Sequence, residues 1–337
     1  MSQKNKKILV LGATGAMGQY LVPELLKLGY EVDGVSLIAE VSHHPALRYL
    51  TADAKDRKFL EEILLNHYDG IVDFMTYSTE EFRQVYPLLL DHTNHYIFLS
   101  SCRVYDDCPP IRESSPRLLE SSKDKEFLAT DDYSLFKAKE EDLLRNSAYS
   151  NWTIVRPATT YSRGRFQLVT LESQTFIHRM LAGKTVVLPE EAMDCRATLS
   201  WGGDVAKMIA LLMFREDALR EDFIVATGEH RSWKEILEYY QEIHPFSYKM
   251  VKKEDYLEIL GPGHLWTKYQ LIYARMFQRI TDNTKILSFT GMKQENLMPL
   301  RDGLRREYQA SQDIDWSAFA DTPINQRMDA WLLKKGF

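Results

Sequence analysis

The first half of the chain alternates short apolar runs with longer amphipathic stretches. Apolar runs of four or five residues predict buried strands, and the stretches between them have the spacing of amphipathic helices. The predicted strands occupy residues 8–11, 32–35, 71–74, 96–99 and 153–156, and the predicted helices occupy residues 19–28, 57–68, 80–90 and 131–145. Strands that alternate with helices are typical of βαβ units, so this pattern predicts an α/β fold with a Rossmann-like, doubly wound parallel sheet.

After Arg156 the pattern changes. We predict helices at residues 176–182, 204–214 and 233–243 and a short strand at 223–226, whereas the chain from His244 onwards is aromatic-rich and irregular, with a break at Gly261-Pro262-Gly263. The expected division is a sheet domain at residues 1–170, to which residues 203–236 return, and a smaller, mostly C-terminal lobe at residues 171–202 and 237–337.

A glycine-rich turn, GATGAMG, follows the first predicted strand and opens the first predicted helix. Glycine permits unusual backbone dihedrals and lets the backbone approach a pyrophosphate, and a helix N-terminus offers free N–H groups to phosphate oxygens. In this strand–turn–helix context the turn predicts dinucleotide binding by the sheet domain. The expected contacts are Gly12, Thr14, Gly15, Ala16, Met17 and Gly18.

The residue at the end of the second strand normally contacts the adenosine ribose, where an acid favours NAD and a nearby arginine favours NADP. Here that position is Ser36. The lack of an acid tilts the prediction towards NADP, and the lack of a base leaves NAD open. Asp53 follows a third short strand, where it would accept a hydrogen bond from adenine or cap the next helix. Further expected cofactor contacts are Ala54, Phe74, Met75 and Pro157.

Tyr133 and Lys137 form a YxxxK arrangement at the start of a predicted helix. Residues four apart share a helix face, so the ammonium group can lie beside the phenol. A neighbouring cation lowers the pKa of a phenol from about 10, which makes tyrosine a usable acid or base. The alternative is an ordinary solvated helix face.

The segment FLSSCRVY at residues 98–105 resembles the SSxxVYG segment of the extended short-chain dehydrogenases/reductases, the NAD-dependent epimerase/dehydratase family. Asp106 replaces the final glycine of that segment. NWTIVRP at residues 151–157, with Tyr161 beyond it, resembles a second family motif, and shorter matches lie at residues 204–206, 231–236, 282–285 and 303–305. The motifs occur in the family's order over roughly residues 7–307.

This resemblance implies a nicotinamide-dependent oxidoreductase or epimerase. Tyr133 would be the catalytic acid/base, Lys137 would orient the cofactor, and Ser101, with Ser100 as the fallback, would bind the reacting oxygen. Cys102-Arg103 replaces the acidic pair that some members use to eliminate water, so a sugar 4,6-dehydratase is disfavoured.

The C-terminal lobe would bind substrate. In the family, the substrate lobe contacts nucleotide diphosphates at the positions of Arg163, Arg165 and Arg196. Arginine binds a diphosphate through paired hydrogen bonds. The alternative is a set of ordinary surface arginines. The expected substrate contacts are Ser101, Cys102, Tyr161, Arg165 and Arg196.

Three functions stay open: a nucleotide-sugar epimerase or reductase, an NADPH-dependent ketoreductase on a non-sugar metabolite, and RNA binding, as in the family's atypical branch that includes chloroplast stem-loop-binding proteins. The formal net charge of −6 gives no general attraction to nucleic acid or to an anionic membrane. The three cysteines form no CxxC pair and the histidines no metal pattern, so we expect no metal, no disulfide framework and a reducing cytoplasm. We expect no membrane span and, from the family, a homodimer.

Overall fold

A seven-stranded parallel sheet organises the protein, seen here in a computed structural model that describes residues 6–261 and 265–337. Its strands are β1 (Lys7–Leu11), β2 (Glu31–Ser36), β3 (Leu47–Thr51), β4 (Tyr68–Asp73), β5 (Thr93–Leu99), β6 (Trp152–Arg156) and β7 (Asp222–Ile224). Their order across the sheet is β7-β6-β5-β4-β1-β2-β3, and every neighbouring pair is parallel. The predicted Rossmann-like doubly wound sheet is therefore confirmed, and its strand order reverses between β1 and β4.

Helices cover both faces of the sheet and build the remainder of the molecule. The first six are α1 (Gly18–Lys27), α2 (Arg57–Leu64), α3 (Thr79–Asp91), α4 (Leu118–Ser121), α5 (Lys125–Leu128) and α6 (Tyr133–Arg145). The later ones are α7 (Ser173–Leu181), α8 (Gly202–Leu212), α9 (Trp233–Ile243), α10 (Lys253–Leu260), α11 (Leu265–Gln270), α12 (Thr284–Thr290), α13 (Leu300–Gln309) and α14 (Pro323–Lys334). Among the described helices, none has both the length and the apolar character needed to cross a membrane.

Small two-stranded sheets lie outside the main sheet. They pair Thr159–Tyr161 with Leu199–Trp201, Gln167–Leu168 with Leu171–Glu172, Val186–Pro189 with Tyr248–Val251, and Arg196–Ala197 with Arg231–Ser232. A large apolar core surrounds these strands and contains side chains from Tyr161 to Leu332. Two other cores lie against the two faces of the main sheet.

Two predictions about the elements are wrong. The helix predicted to reach Tyr68 ends at Leu64, because His67 takes a positive φ of 50° and Tyr68 already begins β4. The chain after His244 is largely helical and not irregular. Its helices bury few residues each, as α10 buries Tyr256, Ile259 and Leu260, so their apolar pattern is weak. Of the predicted break at Gly261-Pro262-Gly263, Pro262 and Gly263 lie outside the described residues.

Candidate active site

A cavity of about 490 Å³ lies at the carboxyl ends of β1, β4, β5 and β6. Open α/β sheets bind ligands at this edge, where the strand order reverses. Eleven of the predicted site residues line the cavity: Gly12, Gly15, Ala16, Met17, Gly18, Phe74, Ser101, Cys102, Tyr133, Pro157 and Arg165. The other predicted residues lie outside this lining, namely Thr14, Ser36, Asp53, Ala54, Met75, Lys137, Tyr161 and Arg196.

The glycine-rich turn is folded too tightly for side chains at two of its positions. Gly12 has a φ of +85°, and a Cβ atom there would lie 3.3 Å from Cβ of Phe74 on the neighbouring strand end. A Cβ atom on Gly18 would lie only 2.3 Å from the carbonyl oxygen of Gly12. Met17 gives no side-chain hydrogen bond to the first turn of α1. The N-terminus of α1 therefore faces the cavity in the arrangement that suits a pyrophosphate.

The residues expected near the adenosine bond to one another. Ser36 Oγ lies 2.7 Å from Thr14 Oγ1 and accepts the N–H of Ile38 at 3.0 Å. Asp53 is exposed and accepts the N–H of Lys55 at 2.8 Å. The cap of α2 is Asp56 and not Asp53. The carboxylate of Asp53 therefore has no role in starting that helix.

Ser101 and Tyr133 lie together on the cavity wall, at the end of β5 and at the first residue of α6. Ser101 Oγ accepts the N–H of Arg103 at 3.1 Å. Ser100, in contrast, is fully buried and donates to Glu141 Oε1 at 2.5 Å. Of the two serines, Ser101 is the one in a position to meet a substrate.

A buried ion pair fixes α6 against the sheet. Arg156, at the end of β6, donates to both oxygens of Glu141 at 2.7 and 2.8 Å, and its Nη1 donates to Tyr105 Oη at 2.5 Å. Burial alone would raise the pKa of Glu141. The charge of Arg156 and the hydrogen bonds from Arg156 and Ser100 outweigh that effect and lower the pKa to about 2. The predicted RP motif therefore positions the helix that carries Tyr133.

Lys137 does not reach the cavity. Its Nζ lies 2.9 Å from Glu140 Oε2, in a buried ion pair, and 4.7 Å from the ring centroid of Phe98. Burial raises the pKa of Glu140 to about 7, although Lys137 opposes the rise. The expected contact of Lys137 with a cofactor stays a prediction.

Two buried arginines in the cavity wall have no carboxylate partner among the described residues. Arg275 donates to Val169 O, Thr159 Oγ1 and Gln167 Oε1 at 2.9, 3.1 and 2.5 Å. Arg279 is 8% exposed and donates to carbonyl oxygens, which include that of Tyr105 at 2.8 Å.

The charged form of both arginines is destabilised by burial. Burial and the nearby Arg103 lower the pKa of Arg275 to about 9, and burial lowers that of Arg279 to about 10. Buried charges are usually paired, so this wall is suited to an anion.

The arginines predicted from the sequence are distributed differently. Arg165 lines the cavity, whereas Arg163 pairs with Asp313 at 2.6 Å on the surface and Arg196 is exposed. Tyr161 is buried in the core of the small sheets. Cys102 lines the cavity, but burial raises the pKa of its thiol to about 12, so it is no nucleophile.

The sequence interpretation missed Arg103, Glu172, Arg275 and Arg279. One indication was available for the last two: Arg275 interrupts the apolar run LIYARMF at residues 271–277, and Arg279 follows four residues later. All three cysteines are free, and the described residues contain no group of three or more metal-ligating side chains.

The comparisons with known proteins agree with this geometry. The model of the NAD dependent epimerase/dehydratase family matches residues 8–226. Chloroplast stem-loop binding protein of 41 kDa b from Arabidopsis thaliana is 28% identical over 246 residues, which cover 67% of this chain and 60% of that protein's length.

Solved structures share the fold over most of the chain. The epimerase Mth375 from Methanothermobacter thermautotrophicus has a TM-score of 0.71 at 14% identity and covers 96% of this chain and 95% of its own. UDP-glucuronic acid 4-epimerase from Bacillus cereus, in complex with UDP-glucuronic acid and NAD, has a TM-score of 0.67 at 17% identity and covers 90% and 98%. At these identities the likeness establishes the fold alone.

Proposed function

Because the chain belongs to the NAD-dependent epimerase/dehydratase family, we propose that it is an NAD(P)-dependent epimerase or reductase that acts at a carbinol or carbonyl carbon of a nucleotide sugar. The observation that carries the choice of substrate is the pair Arg275 and Arg279. Both lie in the same cavity as the glycine-rich turn and Tyr133, and both donate their hydrogen bonds to neutral oxygens of described residues, with Glu172 as the one carboxylate in the described lining. A diphosphate supplies two negative charges to such a pair through bidentate hydrogen bonds.

The glycine-rich turn would hold the dinucleotide. The close approach of Gly18 to Gly12 and the uncapped start of α1 suit its pyrophosphate, and Phe74 and Pro157 line the same cavity. When bound, a nicotinamide dinucleotide takes or gives the hydride. We keep the weak preference for NADP, since Ser36 and not an acid ends β2.

The residues of the chain would move the proton. Tyr133 is at the start of α6 and lines the cavity, where it would act as the phenolate, take the proton of the substrate hydroxyl as the hydride leaves, and return that proton from the resulting phenol afterwards. Ser101 Oγ would hydrogen-bond the same substrate oxygen and hold it beside the phenol. Asp132, which caps α6 by accepting the N–H of Ser134 at 2.9 Å, fixes the position of Tyr133.

The first experiment denatures the purified protein and identifies any dinucleotide that it releases, then titrates NAD and NADP into wild type and Tyr133→Phe. We expect both proteins to bind the cofactor equally, and Tyr133→Phe to lose nucleotide-sugar turnover by about 10²–10⁴-fold because the proton transfer is lost. Tyr149→Phe, which removes a surface hydrogen bond to Asp91, is the matched control. Failure of wild type to bind either dinucleotide would refute the proposal.

Two alternatives have distinct outcomes in the same experiment. Weak, exchangeable NADPH with no nucleotide-sugar turnover would favour a ketoreductase on a non-sugar metabolite, because an epimerase reuses its hydride internally. RNA binding is the second candidate, favoured by the stem-loop binding relative. It would require a steeply salt-dependent affinity for a stem-loop RNA, although the net charge of −6 gives no general attraction to it.

We also propose that the protein is a cytoplasmic homodimer. Its three free cysteines suit a reducing compartment, and the dimer follows from the family resemblance. Sedimentation of the purified protein measures its mass directly, and a monomer would refute the second part.

A further inference from the structure

Arg103 contacts both candidate catalytic residues. Its backbone N–H donates to Ser101 Oγ at 3.1 Å, and its guanidinium carbon lies 5.1 Å from the ring centroid of Tyr133. Its side chain is 16% exposed and lines the cavity. A positive charge therefore lies directly beside the place where the substrate would react.

The hydrogen bonds of this guanidinium are incomplete. Nη2 reaches the two oxygens of Asp132 only at 3.3 and 3.5 Å. Asp132 Oδ1 already accepts the N–H and the hydroxyl of Ser134 at 2.9 and 2.7 Å, at the positive end of the α6 dipole. Nε of Arg103 is buried and has no hydrogen-bond partner among the described residues. The terminal Nη1 donates no hydrogen bond to a described residue, and on a side chain that lines the cavity it is the donor available to a ligand group.

The charge of the cavity leads to the same conclusion. Its described lining contains four arginines, which are Arg103, Arg165, Arg275 and Arg279, against one carboxylate, Glu172. The diphosphate of a nucleotide sugar contributes two negative charges. Arg275 and Arg279 are assigned to that diphosphate, whereas Arg103 lies next to Ser101 and Tyr133, where the sugar would react, and is paired with Asp132 at 3.3 Å.

We propose that Arg103 is a specificity-determining residue that binds a carboxylate on the sugar, so that the substrate class is a nucleoside diphosphate uronate. This inference rests on the proposed function and deepens it. A planar carboxylate fits the fork of donors on a guanidinium, which a neutral hydroxymethyl group at the same carbon does not. Burial also lowers the pKa of Arg103, although Asp132 opposes the decrease, and an added anion would relieve that cost.

The test uses matched pairs of ligands that differ only in this group: UDP-glucose against UDP-glucuronic acid, and GDP-mannose against GDP-mannuronic acid. Affinities are measured by calorimetry on the dinucleotide-loaded enzyme. We expect wild type to bind the uronate of at least one pair about 10- to 100-fold more tightly, the range expected for a charge-assisted hydrogen bond. Arg103→Gln should reduce that ratio to about 1, with the affinity for the neutral sugar nearly unchanged.

Two further variants make the result specific. Arg103→Lys keeps the charge and should retain part of the preference, whereas Arg163→Gln removes a surface arginine that pairs with Asp313 and should leave the ratio at its wild-type value. Urea unfolding of each variant checks that it is folded. The wild-type ratio tests the proposal even if Arg103→Gln does not fold.

The outcomes separate this inference from the proposed function. Equal binding of both members of a pair by wild type, or a uronate preference that survives in folded Arg103→Gln, overturns the role of Arg103 and leaves the nucleotide-sugar function intact. Binding of a dinucleotide but of no nucleotide sugar overturns both.

Discussion

Replacing Arg275 by methionine should weaken binding of a nucleotide sugar far more than it weakens the fold. The side chain is 6% exposed, and burial and Arg103 lower its pKa from 12.5 to about 9. Since a tenfold change in an acid dissociation constant corresponds to about 1.4 kcal/mol, keeping this charge buried costs roughly 5 kcal/mol. The three hydrogen bonds of Arg275 return about 1.5 kcal/mol each, or roughly 4–5 kcal/mol together.

These two contributions nearly cancel, and methionine fills much of the same volume with an apolar chain. We therefore expect the free energy of unfolding of Arg275→Met, measured with urea in the absence of ligand, to lie within about 2 kcal/mol of wild type. The affinity for UDP-glucuronic acid or GDP-mannuronic acid, measured by calorimetry, should fall by about 30- to 100-fold or more, because the diphosphate loses a charged partner.

Arg156→Met is the contrasting variant. Arg156 is equally buried but lies in ion pairs with Glu141 and Asp222. Its removal takes from the buried Glu141 its two shortest charged contacts and leaves only the longer ones to Arg117 and Arg145, at 3.2 and 3.3 Å, so it should cost about 3 kcal/mol of unfolding free energy. Arg163→Met on the surface should change neither quantity. The reasoning is refuted if Arg275→Met loses more than about 4 kcal/mol of stability while its affinity for the nucleotide sugar is unchanged.

Two other predictions concern buried charge. Lys137→Met should cost about 3 kcal/mol of unfolding free energy, since it leaves Glu140 buried without its cation. The double variant Lys137→Met/Glu140→Leu should recover most of that loss in the same urea titration. A double variant no more stable than the single one would contradict this account. His95 Nδ1 accepts the backbone N–H of Phe214 at 2.8 Å, and its Nε2 lies 2.8 Å from Thr153 Oγ1. Burial lowers the pKa of His95 from 6.5 to about 4, so its contribution to stability is fully present above pH about 6.5 and is lost as pH falls through about 4. Between these two pH values the unfolding free energy of wild type should fall by roughly 3 kcal/mol more than that of His95→Gln. Parallel pH profiles of unfolding free energy for the two proteins would contradict this prediction.

The sheet and the glycine-rich turn were predictable because local patterns determine them. The inner strands of the main sheet are buried on both faces, and the first of them is a short apolar run, Ile8 to Leu11, whereas the edge strand β3 has no buried residue. The turn needs glycine at Gly12 and Gly18 for steric reasons that act within a few residues. The C-terminal helices escaped prediction since their shared core joins side chains as distant as Phe166 and Leu332.

The candidate site was predictable only in part. Spacing places Tyr133 and Lys137 on one helix face, but α6 is buried on most of its circumference, so spacing cannot tell which side chain meets the cavity and which meets Glu140. The same limit applies to Ser100 and Ser101. They are adjacent in sequence but point to opposite sides of the strand end, and only the position of Glu141 assigns Ser100 to the interior.

The buried charges of this protein fall into two classes, and their partners distinguish them. Two ion pairs have their charges balanced within the fold: Arg156 with Glu141, and Lys137 with Glu140. Each pair stabilises the position of a helix and needs no ligand. Arg275 and Arg279 donate their hydrogen bonds to neutral oxygens, and burial lowers the pKa of both although Glu172 and Asp107 oppose the decrease. A fold would lose nothing by replacing such arginines with apolar residues unless an anion arrives to pair with them. Their presence in the cavity that Tyr133 also lines therefore argues for a ligand, and the positive charge of the two arginines argues that this ligand is an anion.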